Sequence, residues 1–195
     1  EAAERAAPHD PYVLYLLGRR LRLDGEPDAA VAMQRRALSE RDELAESLAE
    51  TTRALLARAE VAEGDAAELL ARSVRYADRL VELDRTRSEY LPFIELQGYV
   101  LALVGDVSAA RRAFLTGAER GSAFCQLGIA LLDYRQGRVG GARTALSLVA
   151  NDAQRPAEVR EYARHVIELI DDHAGKEQVR DPFARSEAGA LWSQS

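Results

Sequence analysis

Gly18, Gly25, Ala30 and Ala37 are separated by the same intervals as Gly98, Gly105, Ala110 and Gly117. A recurring set of small residues constrains a fold more than any single motif, because an active site is seldom built twice whereas a stacking unit must be. The first copy lies in YLLGRRLRLDGEPDAAVAMQRRAL, from Tyr15 to Leu38, two helical phrases split by Asp24-Gly25-Glu26-Pro27. Glycine accepts the left-handed backbone that closes a helix, and proline suits the first turn of the next, where its missing N–H has no partner to lose. Small side chains let two helices approach to about 8 Å rather than about 10 Å. Gly18 with Ala30, and Gly98 with Ala110, are expected at such crossings.

Hydrophobic spacing is helical nearly throughout. Leu14, Leu17, Gly18 and Leu21 share one face, answered by Ala30, Met33, Gln34 and Ala37. A helix over about 42–63 carries Leu44, Leu48, Thr51, Leu55 and Ala59 inward, and the next, to about 84, carries Leu70, Val74, Ala77 and Val81. A third hairpin spans 89–119 around Gly105-Asp106, and a fourth 122–150 around Gly137. Pro156 opens a last helix with Val159, Tyr162, Ala163, Val166, Ile167 and Ile170 in one stripe. No stretch alternates as a strand does, so the chain is predicted to be all-α, with about nine helices. Aromatic residues at 6%, with alanine abundant, favour helices packed through small side chains over a sheet. One hairpin cannot bury its apolar faces alone, so hairpins must stack.

At these residues the chain resembles the tetratricopeptide repeat (TPR) family, whose signature is a large residue, Leu-Gly, another large residue, then spaced alanines and often a closing proline. Leu14, Leu17-Gly18, Leu21, Gly25, Ala30 and Ala37 match it, as do Phe124, Leu127-Gly128, Leu131, Ala142 and Leu146. Ile94, Gly98, Leu101, Gly105, Ala110 and Phe114 fit with Gln97 replacing the leucine. The departures are Ala57 where the second hairpin's glycine should stand, a longer spacing from Gly128 to Gly137, and missing closing prolines. The resemblance covers about residues 11–150 and implies a right-handed superhelical stack of antiparallel hairpins, a TPR-like α-solenoid. Residues 1–10 are expected to end a preceding repeat or form a linker. Residues 11–172 form the repeat domain, in which helix 156–172 caps the open end, and 173–195 are an extended tail or linker. With no initial Met and no evident ending, the chain is expected to be a piece of a longer protein.

Chemistry-bearing constellations are scarce. A net charge of −6 argues against wholesale phosphate binding, so no nucleic-acid partner is expected. Cys125, the single cysteine, excludes an internal disulfide or a cysteine-rich zinc site and reads as a small buried apolar residue. His9, His165 and His173 lack metal-ligand spacing. No apolar run approaches the roughly 18 residues that span a bilayer, so no membrane insertion is expected, and a cytoplasmic location is favoured. Phosphate loop, nucleophile elbow and dinucleotide fingerprint are all missing, so neither catalysis nor a cofactor is expected.

The resemblance implies that the first helix of each hairpin lines a concave groove that receives a partner peptide. On the first of these, Tyr12, Tyr15, Arg19 and Arg22 form one stripe away from the core face. Tyrosine gives contact area at low entropic cost, and arginine gives paired hydrogen bonds to carboxylates. Corresponding positions are Arg58, then Glu95 and Tyr99, then Cys125, Ile129, Leu132 and Asp133. The carboxylate-clamp subset of the family is not matched, because Tyr15 and Arg19 occupy its first places. A groove running from basic and aromatic to mixed and apolar suits an acidic or carboxy-terminal protein segment, as a helix or an extended peptide. Phe183, Leu191 and Trp192 are expected to anchor the tail to a groove, its own or that of a second copy, or to begin a further domain. The expectation is a non-catalytic peptide-binding scaffold. The alternatives are self-assembly through the last helix or tail, and a sensor domain regulating a separate output domain.

Overall fold

In a computed structural model of the 195-residue chain, residues 7–62, 64–84, 91–172 and 183 are described. Among them are nine α-helices and no strand: α1 (Pro11–Leu23), α2 (Pro27–Glu40), α3 (Ala45–Val61), α4 (Ala66–Asp84), α5 (Leu91–Leu103), α6 (Val107–Glu119), α7 (Ala123–Arg135), α8 (Val139–Asn151) and α9 (Ala157–Asp172). Two compact units divide the chain, Glu1–Phe93 and Ile94–Ser195. The expectations for residues 1–6 and for His173, Leu191 and Trp192 lie outside the described residues.

Local chemistry sets the helix ends. Asp10 caps α1, its carboxylate accepting the Tyr12 and Val13 amides at 2.8 and 3.1 Å, with Pro11 at the first helical position. Asp106 and Ser122 cap α6 and α7 in the same way through the Ala109 and Cys125 amides, each at 2.9 Å. The first and third hairpins turn at Gly25 and Gly105, with φ of +81° and +84°. There the amides of Glu26 and Asp106 donate to the Leu21 and Leu101 carbonyls at 2.9 and 3.0 Å, which satisfies groups a helix end would otherwise leave open.

In the first unit α1 packs on α2, α2 on α3, α3 on α4, and α1 also meets α3. The buried rows follow the expected faces on α1, α2 and α3. On α4 they do so only at Ala77: Leu69, Ser73 and Leu80 are buried with it, while Leu70, Val74 and Val81 are half-buried. A one-residue shift turns the inward face by about 100°. Ser73 can face inward because its hydroxyl donates to the Leu70 carbonyl at 2.7 Å. In the second unit α6 packs on α7, α7 on α8, and α9 on both α8 and α7, burying Val159, Ala163, Val166 and Ile170.

The repeated glycines act by a route that differs from a simple close crossing. A Cβ on Gly18 would lie 2.5 Å from Gln34 Nε2, and one on Gly98 would lie 2.4 Å from Phe114 Cε1. Gln34 and Phe114 stand at the same sequence distance from their glycines, so each glycine vacates a seat for a large side chain from the next helix. The Phe114 ring also lies where a Gly128 Cβ would meet it at 2.7 Å, and it is fully buried between α5 and α7. In the first unit Gln34 takes the equivalent seat, donating to the Tyr15 carbonyl at 3.0 Å and accepting from Ser47 Oγ at 2.8 Å.

Candidate interaction surfaces

On α1 the four stripe residues have different fates. Tyr12 is 46% exposed, and its hydroxyl accepts from Arg41 at 3.1 Å while that guanidinium lies 5.7 Å from the ring centre. Tyr15 is half-buried and Arg19 is exposed. Arg22 turns to α3: its Nε donates to Glu50 at 2.8 Å, and Arg53 Nη1 donates to the same carboxylate at 3.2 Å. Burial pulls the Arg53 guanidinium below its ordinary pKa, and the Glu50 charge opposes that pull. Arg58, farther along α3, pairs with Asp28 at 2.9 Å and Asp65 at 3.6 Å. Tyr12, Tyr15 and Arg19 therefore remain as a surface, whereas the charges of Arg22 and Arg58 are committed within the unit.

In the second unit Glu95 and Tyr99, on α5, are 5% and 3% exposed. Glu95 accepts from the Ser122 hydroxyl, which itself caps α7. Burial raises the Glu95 carboxyl above its ordinary pKa, and the serine bond partly offsets this. Beneath that cap, burial pushes the Cys125 thiol to about 12. Burial alone would raise the Asp133 carboxyl as well, but bonds from Arg138 and Arg111 prevail and hold it below the usual range.

Glu95→Gln keeps an oxygen for Ser122 and removes the charge, so it should raise the melting temperature at neutral pH. The native chain binds the Glu95 proton more tightly than the unfolded chain does. That contribution to stability is lost as pH climbs through the raised native value and restored as pH falls. The glutamine's advantage should therefore shrink toward pH of about 4, near the ordinary carboxylate value. An advantage independent of pH in parallel melts would show that Glu95 is not a buried charge.

Tyr99 is covered by the chain's own Phe183, which is 1% exposed. The two ring centres are 6.5 Å apart with planes at 42°, and the Arg135 guanidinium of α7 lies 6.0 Å from the Phe183 centre. Phe183 is legible in sequence as an apolar residue in a polar tail, whereas no sequence signal ties Arg135 to it. Among the described residues no group of three or more His, Cys, Asp or Glu is arranged to hold a metal ion, and no helix is long and apolar enough to cross a membrane. His9 Nδ1 meets Glu40 at 2.7 Å, and the His165 ring lies 6.4 Å from that of Tyr162.

No protein-family model matches the sequence, and no curated protein does. The fold matches the crystal structure of a thermophilic TPR protein from Thermus thermophilus, with a TM-score of 0.69 at 20% identity, over 86% of this chain and 88% of that one. The helices of this chain are therefore TPR-like repeats, an all-α solenoid fold.

Proposed function

We propose that the chain is a non-catalytic protein-interaction scaffold whose second unit uses α5 and α7 to grip an aromatic side chain of a partner. The observation that carries this reading is Phe183, a tail residue buried against Tyr99 and Arg135. A ring held by a tilted neighbour ring and a guanidinium gains contact area, a favourable quadrupole arrangement and cation–π attraction. A partner's aromatic anchor would meet the same groups, so Phe183 acts as a resident occupant that a partner displaces. The TPR-like fold supports a scaffold role of this kind. Tyr12, Tyr15 and Arg19 are the proposed contact surface of the first unit. Glu95 and Asp133 serve indirectly, by holding Ser122 and the arginines of the α6–α7 hairpin and its following turn.

The test uses Phe183→Ala and a synthetic peptide spanning residues 178–188. The vacated site should bind this peptide in trans, and the parent chain should bind it about tenfold more weakly, because its own ring competes and reduces the competent fraction. Alanine in place of the peptide's phenylalanine, or Tyr99→Ala in the protein, should abolish binding. If the phenylalanine peptide does not bind the Phe183→Ala chain, the aromatic grip is wrong.

A further inference from the structure

In the first unit α3 packs on both α2 and α4. Arg35 of α2 and Glu68, Arg72, Arg75, Tyr76 and Arg79 of α4 line an open cleft of about 510 Å³. Four guanidinium groups face one carboxylate there, in a chain whose net charge is −6. Arg79 pairs with Asp42 at 3.1 Å, the two side chains being 44% and 77% exposed. Among the described residues no hydrogen bond or ion pair engages Arg35, Arg72 or Arg75, and Glu68 makes none with Arg72 although one helical turn separates them. The arginines of α4 lie off its buried row of Leu69, Ser73, Ala77 and Leu80. Tyr76 rests against the core formed by Ala30, Leu55 and Leu69, which gives the cleft a fixed edge. Like charges one turn apart on a helix repel, and among the described residues no carboxylate is bonded to Arg72 or Arg75 to offset that repulsion.

We propose that this cleft binds a protein segment bearing clustered anionic side chains. Guanidinium forks match the paired oxygens of a carboxylate or a phosphoryl group, and bonds of this kind are the stronger class of hydrogen bond. The cleft admits a few side chains, and the acidic remainder of the chain repels a long polyanion, so a peptide fits better than a nucleic acid. The site shares no residue with the aromatic grip on α5 and α7, and it stands or falls separately.

Fluorescence anisotropy on the full chain tests the proposal with three short labelled peptides, identical except for clustered glutamates, phosphoserines or glutamines, and with an oligonucleotide of matched charge. The glutamate or phosphoserine peptide should bind and the glutamine peptide should not; the tighter of the first two identifies the source of the anion. Arg72→Glu with Arg75→Glu should weaken binding at least about tenfold, and Arg72→Lys with Arg75→Lys should give an intermediate loss, since charge remains without the fork. Phe183→Ala should bind these peptides as the parent chain does. Circular dichroism melts confirm that the variants fold, as expected for changes at the surface. Three outcomes overturn the proposal: no binding of either anionic peptide, equal binding by the Arg72→Glu, Arg75→Glu chain, or tighter binding of the oligonucleotide.

Discussion

Phe114→Ala should lower the unfolding free energy by about 3–5 kcal/mol, the range for truncating a fully buried aromatic side chain. The ring is 0% exposed and occupies the seats left by Gly98 and Gly128. Filling a seat should also be damaging. A Cβ on Gly98 would begin 2.4 Å from the ring, so Gly98→Ala should cost about 1–3 kcal/mol through overpacking. The two changes share one cause. Phe114→Leu in the Gly98→Ala background should therefore be less destabilised than the two separate losses combined. Urea unfolding of the four chains measures this coupling. Simple additivity would mean that the glycine and the ring do not compete for one volume.

Glu50→Ala is the second large effect. The Glu50 side chain is 4% exposed, and those of Arg22 and Arg53 are 11% and 12% exposed. Removing the carboxylate leaves two enclosed cations beside one another, so a loss of about 3–5 kcal/mol is expected, the range for breaking a buried ion pair from one side. Replacing Arg22, Glu50 and Arg53 together by methionine should recover most of that loss, because well-packed apolar side chains commonly stand in for buried ion networks. Arg19→Glu on the exposed face should stay within about 0.5 kcal/mol of the parent. That contrast selects Arg19 for probing a partner surface on α1, since Arg22→Glu would set two carboxylates together inside the unit. A Glu50→Ala melt as mild as that of Arg19→Glu would contradict the enclosed network.

The features legible in the sequence are those decided within one turn of chain. Gly25 and Gly105 stop their helices, and Asp10, Pro11 and Pro27 start them, through groups only a few residues apart. The glycine periodicity is equally visible, but the side chain each glycine receives depends on the register of the neighbouring helix. Periodicity alone therefore does not mark Gln34 and Phe114 as the occupants. On α4 the pattern finds Ala77 but misplaces Leu70, Val74 and Val81, because a serine that bonds the carbonyl three residues back reads as polar and yet packs inside. Glu50 lies 28 residues from Arg22, and local charge pattern cannot disclose a pairing across helices. Glu95 reads as facing a groove, as an acid among large residues invites. Its burial rests on a serine at the start of another helix, and that contact exists only once α5 and α7 are assembled.

The seating of Cys125 has a use beyond packing. Its sulfur fills the space opposite Gly117, with no solvent exposure and a thiol that stays protonated. Because only the thiolate reacts readily, the intact α6–α7 hairpin shields its own cysteine from alkylating reagents. A dye attached to a cysteine engineered on the surface thus reports from that place alone. Slow modification of the native sulfur becomes a clock for how often these two helices part.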